Sequence, residues 1–140
     1  MSVFIVTLIK TKMGEVSMNT QIFYFSGTGN SLSIAQKLSE RLPNSEVVPI
    51  VSSYKNGVKE IDAETVGFIF PVHAFSLPKL VEEFIKSLSF KTDTYIFAMA
   101  TRGGSCCRVF EEINKILSQK GFSLHSYSFV EMPNNYLQWI

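Results

Sequence analysis

Five short apolar runs, at 22–25, 47–50, 66–70, 95–100 and 126–130, alternate along the chain with segments of helical spacing. That alternation restricts the fold more than any other feature. Strands that are apolar at nearly every position must be covered on both faces, and a helix between successive strands supplies the crossover that brings them into parallel register. The expected architecture is α/β: a doubly wound, five-stranded parallel sheet, for which 2-1-3-4-5 is one of the two common strand orders.

Each intervening helix has its own signals. Leu32, Ala35, Leu38 and Leu42 recur at helical spacing before Pro43 stops the segment, and Leu80, Val81, Phe84, Ile85 and Leu88 repeat the pattern after Pro78. A third face comprises Val109, Phe110, Ile113, Ile116 and Leu117, with Lys120 in the last turn and Gly121 placed as the C-terminal cap. The polar stretch 52–64 supports only a short or irregular helix. Beyond the fifth run, Pro133, Asn134 and Asn135 interrupt any helix, so the last covering helix of such a sheet is expected to be missing from this chain. The organised pattern begins after Met18. Residues 1–17 are therefore read as an extension and 18–140 as one domain, a length sufficient for a hydrophobic core.

Composition removes several function classes. The net charge is +1 with no cluster of lysine or arginine, which disfavours a nucleic-acid track or an anionic membrane surface. The apolar stretch 2–9 is too short to span a bilayer and has no signal-peptide framing. Cys106 and Cys107 are adjacent and give no spaced metal-ligand pattern, so no metal is expected, and such cysteine usage fits a cytoplasmic protein. At the start of a helix they could form a redox thiol, but small buried hydrophobes describe them better. His125 is read as decorating a strand edge.

In an open parallel sheet, ligands bind at the carboxyl ends of the strands, so chemistry is sought in the loops that follow them. After the first strand come Ser26, Gly27, Thr28, Gly29, Asn30 and Ser31; after the third, Pro71, Val72, His73, Ala74 and Phe75; after the fourth, Thr101, Arg102, Gly103 and Gly104. In the order 2-1-3-4-5 these three strands are neighbours, and their loops can converge. The first loop joins a strand to a helix through small residues, an arrangement that presents unpaired backbone N–H groups and the positive end of the helix dipole to an anion. It lacks the lysine of a Walker A loop. Leu32 occupies the place of the third glycine in a dinucleotide fingerprint, and no acidic residue ends the second strand to hold a ribose. What survives is a monophosphate cradle built from the hydroxyls of Ser26, Thr28 and Ser31 and the amides of 27–31.

The sequence Ser26-Gly27-Thr28-Gly29-Asn30-Ser31 resembles the FMN-phosphate loop of the flavodoxin family. Segments 66–78 and 95–104, together with Met132-Pro133-Asn134-Asn135-Tyr136, are similar to the flavodoxin-like half of proteins that fuse such a domain to a bacterial-type ferredoxin. The resemblance spans roughly 20–136. It implies a flavodoxin-like sheet, FMN as cofactor, phosphate held at the first loop and the isoalloxazine clasped between the second and third. It also implies electron exchange with a ferredoxin or a reductase.

Two departures qualify those implications. No cysteine-rich cluster segment occurs within these residues, so electron exchange rests on FMN alone or on a separate partner. The second loop carries His73 where relatives commonly place an aromatic residue, leaving Phe75 as the nearby ring. Arg102, if it faces the ring, would favour the anionic reduced flavin and raise the reduction potential. Two further readings stay open: an FMN-dependent reductase of quinones or other small acceptors, and a degenerate domain of the same fold that serves as an interaction surface without flavin.

Overall fold

The computed structural model describes residues 19–26, 29–72, 76–102 and 108–131. Its strands are β1 (Thr20–Tyr24), β2 (Ser45–Pro49), β3 (Glu60–Ile61), β4 (Thr65–Pro71), β5 (Ser89–Phe90), β6 (Tyr95–Arg102) and β7 (Ser126–Glu131). The helices are α1 (Asn30–Arg41), α2 (Ile50–Lys55), α3 (Lys79–Ser87) and α4 (Val109–Ser118). Five strands form one parallel sheet in the order β2-β1-β4-β6-β7, which is 2-1-3-4-5 when the two shortest strands are set aside. The doubly wound α/β architecture is thus present. The expected loss of a final helix concerns residues 132–140, which lie outside the described residues, as do 1–18.

Burial explains the apolar runs. Thr65, Val66, Phe68, Ile69 and Phe70 in β4 are fully buried, because this strand lies at the centre of the sheet with helices on either face. On one face Phe23, Phe68, Phe70, Ala98 and Ala100 pack with Ile50 of α2, Val81, Phe84 and Ile85 of α3, and Val109, Ile113 and Leu117 of α4. On the other, Ile22, Ile69, Phe97 and Met99 pack with Ile34, Ala35 and Leu38 of α1. Leu32, expected on the inner face of α1, is only half-buried; Ser31 and Ile34 are buried instead. Ala35, Leu38 and Leu42 are buried as expected, so the stripe keeps its direction and Leu32 lies at its margin.

One connection holds more than expected, and another ends its helix as expected. The stretch 52–64 holds the second half of α2 and then β3, which pairs in parallel with β5 as Glu60↔Ser89 and Ile61↔Phe90. Gly121 has φ +84 and the Phe122 N–H reaches back to the Leu117 carbonyl at 2.9 Å, so it terminates α4 in the left-handed conformation that glycine tolerates best. His125 does more than decorate an edge. Its Nδ1 accepts the Ile96 N–H at 3.1 Å and its ring stacks on Tyr95, while the Tyr95 hydroxyl donates to Ser126 Oγ at 3.0 Å. These contacts fix the start of β7 against β6.

Candidate functional site

The carboxyl ends of β1, β4 and β6 lie side by side. The Phe25 N–H donates to the Ile69 carbonyl at 2.9 Å, and the Val72 N–H to the Thr101 carbonyl at 3.1 Å, so strand pairing continues to the residue where each loop begins. Three of the loops singled out in the sequence therefore leave the sheet from adjacent positions. Of their residues, the structure describes Ser26, Gly29, Asn30, Ser31, Pro71, Val72 and Thr101, and the backbone of Arg102, the last residue of β6. Gly27, Thr28, His73, Ala74, Phe75, Gly103 and Gly104 lie outside the described residues, as do Cys106 and Cys107.

The first loop is closed by its own polar groups. Ser26 Oγ accepts the Gly29 N–H at 2.8 Å, and Gly29, at φ +91, turns the chain into α1. That φ is strained for any side-chain-bearing residue, although a Cβ there would meet nothing within 4 Å. The Ser33 N–H takes up the Gly29 carbonyl at 3.0 Å, which leaves the amides of Asn30, Ser31 and Leu32 without an intrahelical acceptor. The first turn of α1 contains no acidic side chain, so its positive end is not neutralised locally.

Ser31 is the informative residue of this turn. It is 1 % exposed, and its Oγ has no hydrogen-bond partner among the described residues. A buried hydroxyl without a partner is disfavoured by about 1–3 kcal/mol, which marks this oxygen as placed to receive or give a hydrogen bond to something further. Thr20 and Thr65 carry similar orphan hydroxyls. They begin β1 and β4, at the opposite end of the sheet from the loops, and do not belong to this constellation.

The second loop returns to the fold through Ser76, Leu77 and Pro78. Leu77 and Pro78 are buried, and Pro78 caps α3. Glu112, in the first turn of α4, accepts the Ser76 hydroxyl through Oε1 at 3.0 Å and the Leu77 N–H through Oε2 at 3.1 Å. The sequence offered no sign of this pairing; an acidic residue in a first turn already has a sufficient explanation in the helix dipole. Next to it, Arg108 donates to Glu111, and this hydrogen bond holds the exposed Glu111 carboxyl below its ordinary range.

Among the described residues no group of three or more His, Cys, Asp or Glu side chains could hold a metal ion, and no helix is long and apolar enough to cross a membrane. Among the described residues, the first turn of α1 offers neutral donors to an anion, and the carboxyl ends of β4 and β6 lie beside the end of β1.

No family model matches the chain, and no curated protein matches it. Solved structures do resemble it. A flavoprotein in complex with FMN from Lactobacillus acidophilus superposes with a TM-score of 0.60 at 12 % identity, over 80 % of this chain and 93 % of that one. The two-electron reduced flavodoxin of Megasphaera elsdenii gives 0.62 at 18 % identity, over 83 % and 89 %. The Trp repressor binding protein of Bacillus subtilis gives 0.60 at 13 %, over 86 % and 90 %. At such identities the likeness concerns the path of the backbone, and with the strand order above it shows that this chain has the flavodoxin-like fold.

Proposed function

We propose that the chain is an FMN-binding electron-transfer protein. The observation that carries this reading is the buried Ser31 hydroxyl, without a partner among the described residues, in a first turn of α1 whose amides lack intrahelical acceptors, at the carboxyl end of the sheet. The orphan hydroxyl fits a phosphate monoester, because the oxygens of that group accept hydrogen bonds in several directions at once. Similarity to a flavoprotein in complex with FMN and to a flavodoxin supports the choice of FMN over other monophosphates.

In this assignment Ser26, Gly27, Thr28, Gly29, Asn30 and Ser31 hold the phosphate, while Pro71, Val72, His73, Ala74 and Phe75 and, opposite them, Thr101, Arg102, Gly103 and Gly104 flank the isoalloxazine. When bound, FMN supplies one- and two-electron transfer. The chain's own residues bind, orient and exclude water, and none of the described ones needs to act as acid or base. Half-buried Val72, packed against the core, provides an apolar support for the second loop. A soluble redox partner such as a ferredoxin or a reductase would deliver the electrons.

Titration of the purified protein with FMN tests the assignment. The expected result is flavin absorbance that remains with the protein after desalting, with quenched fluorescence. Protein that is colourless after the same treatment overturns it. Flavin-loaded protein that turns over a nicotinamide and a quinone would replace the carrier with a reductase.

A further inference from the structure

We propose that Glu112 is a positioning residue for the flavin site, holding the exit of the second loop against the first turn of α4. The inference rests on the FMN reading above. The carboxylate stands in the first turn of α4, and it binds the exit of the second loop 35 and 36 residues away in sequence. One side chain therefore ties the segment that follows the third loop to the segment that closes the second. Both anchor points are rigid. Val109 and Ile113 of α4 are fully buried, Leu77 is 5 % exposed in the same core cluster, and the Glu82 N–H bonds the Pro78 carbonyl at 3.0 Å to start α3 immediately afterwards.

The two bonds use different oxygens, so the carboxyl plane is fixed as well as its position. A charged acceptor makes each bond stronger than a neutral pair, and removing it strands the Leu77 N–H in a largely buried place. Among the described residues no other side chain hydrogen-bonds across these two segments. A carboxylate whose two oxygens are both committed to the loop exit acts on the flavin through the backbone it holds, not by touching the ring.

The test compares wild type, Glu112→Ala, Glu112→Gln and Ser76→Ala, using FMN affinity, the visible circular dichroism of bound flavin, and the exchange rate of the Leu77 amide in flavin-free protein. Glu112→Ala should weaken FMN binding by about tenfold, alter the flavin dichroism and speed Leu77 exchange by at least about tenfold. Glu112→Gln keeps an oxygen for the Leu77 N–H and should restore most of both properties. Ser76→Ala, which loses one bond and leaves the amide contact, should fall between. If Glu112→Ala binds FMN as wild type does, with unchanged dichroism and unchanged Leu77 exchange, the positioning role is wrong. Wild-type protein that binds no FMN overturns the cofactor reading and the flavin role of Glu112 together, and in that case Leu77 exchange alone reports whether the tether exists.

Discussion

At the scale of the residue, Ser31 and Gly67 show how one position can serve binding or packing. An apo protein is destabilised by a buried hydroxyl with no partner, whereas the same hydroxyl is an asset once an anion supplies the missing acceptor. Ser31→Ala should therefore move two measurements in opposite directions: the flavin-free protein gains about 1 kcal/mol in chemical denaturation, while FMN binds about tenfold more weakly by fluorescence titration. A loss of both stability and affinity would mean that the hydroxyl has a structural partner and no special relation to phosphate. Gly67 has no freedom of this kind. A Cβ at this position would lie 2.1 Å from Cζ of Phe97, its partner across the β4–β6 pairing, and Phe97 is fully buried. Gly67→Ala should cost about 1–3 kcal/mol through overpacking, and Phe97→Leu in the same chain should recover part of it in thermal melts.

At the scale of the element, legibility followed length and locality. The central strands β4 and β6 could be read because burial on both faces makes them almost continuously apolar, while β1, β2 and β7 still carry apolar runs long enough to mark a strand, and parallel pairing then restricts the order to a few choices. β3 and β5 escaped because two residues define no period; Glu60–Ile61 and Ser89–Phe90 become strands only by finding each other. Ser26 and Gly29 were visible as a loop joining a strand to a helix, but the isolation of the Ser31 hydroxyl depends on neighbours remote in sequence. Glu112 was invisible for the same reason, since its partners lie on another connection. α3 illustrates an interaction that is local and so readable. Glu82 precedes Lys86 by one turn and receives its Nζ at 2.7 Å, the favoured orientation for such a pair. This hydrogen bond is the main reason the Glu82 carboxyl sits below its ordinary range; desolvation opposes it, and the charges of Lys86 and Lys79 add to it. With the folded pKa below the unfolded one, the pair's contribution is present above the unfolded value of about 4.3 and is lost as pH falls through the folded value. Because the pair is partly solvated, the gain is only about 0.3–0.5 kcal/mol. Glu82→Gln should melt slightly below wild type at pH 6 and together with it at pH 3.

At the scale of the molecule, the sheet joins what the chain keeps apart. Its first, second and third candidate loops begin after Tyr24, Pro71 and Arg102, yet strand pairing delivers them to one edge. A ligand that touches all three adds contacts between segments that otherwise meet only through the sheet and the two helical layers, so its binding energy becomes folding energy. FMN should therefore stabilise the whole cooperative unit and not the first loop alone. For a single site, stability rises by about 1.4 kcal/mol for each tenfold increase of free FMN above Kd, or about 2.7 kcal/mol at a hundredfold excess. In a domain of this size that is a rise in Tm of about 10 °C. Inorganic phosphate engages only the first loop and should produce a much smaller rise, reached at far higher concentration. The distinguishing measurement is a set of thermal melts across FMN and phosphate concentrations, with Ser31→Ala run in parallel. Equal stabilisation by FMN and phosphate would confine binding to the first loop and remove any role for the other two. A large FMN effect that Ser31→Ala reduces but does not abolish would instead mean that the ligand also engages loops beyond the first, which leave the sheet from the same carboxyl end.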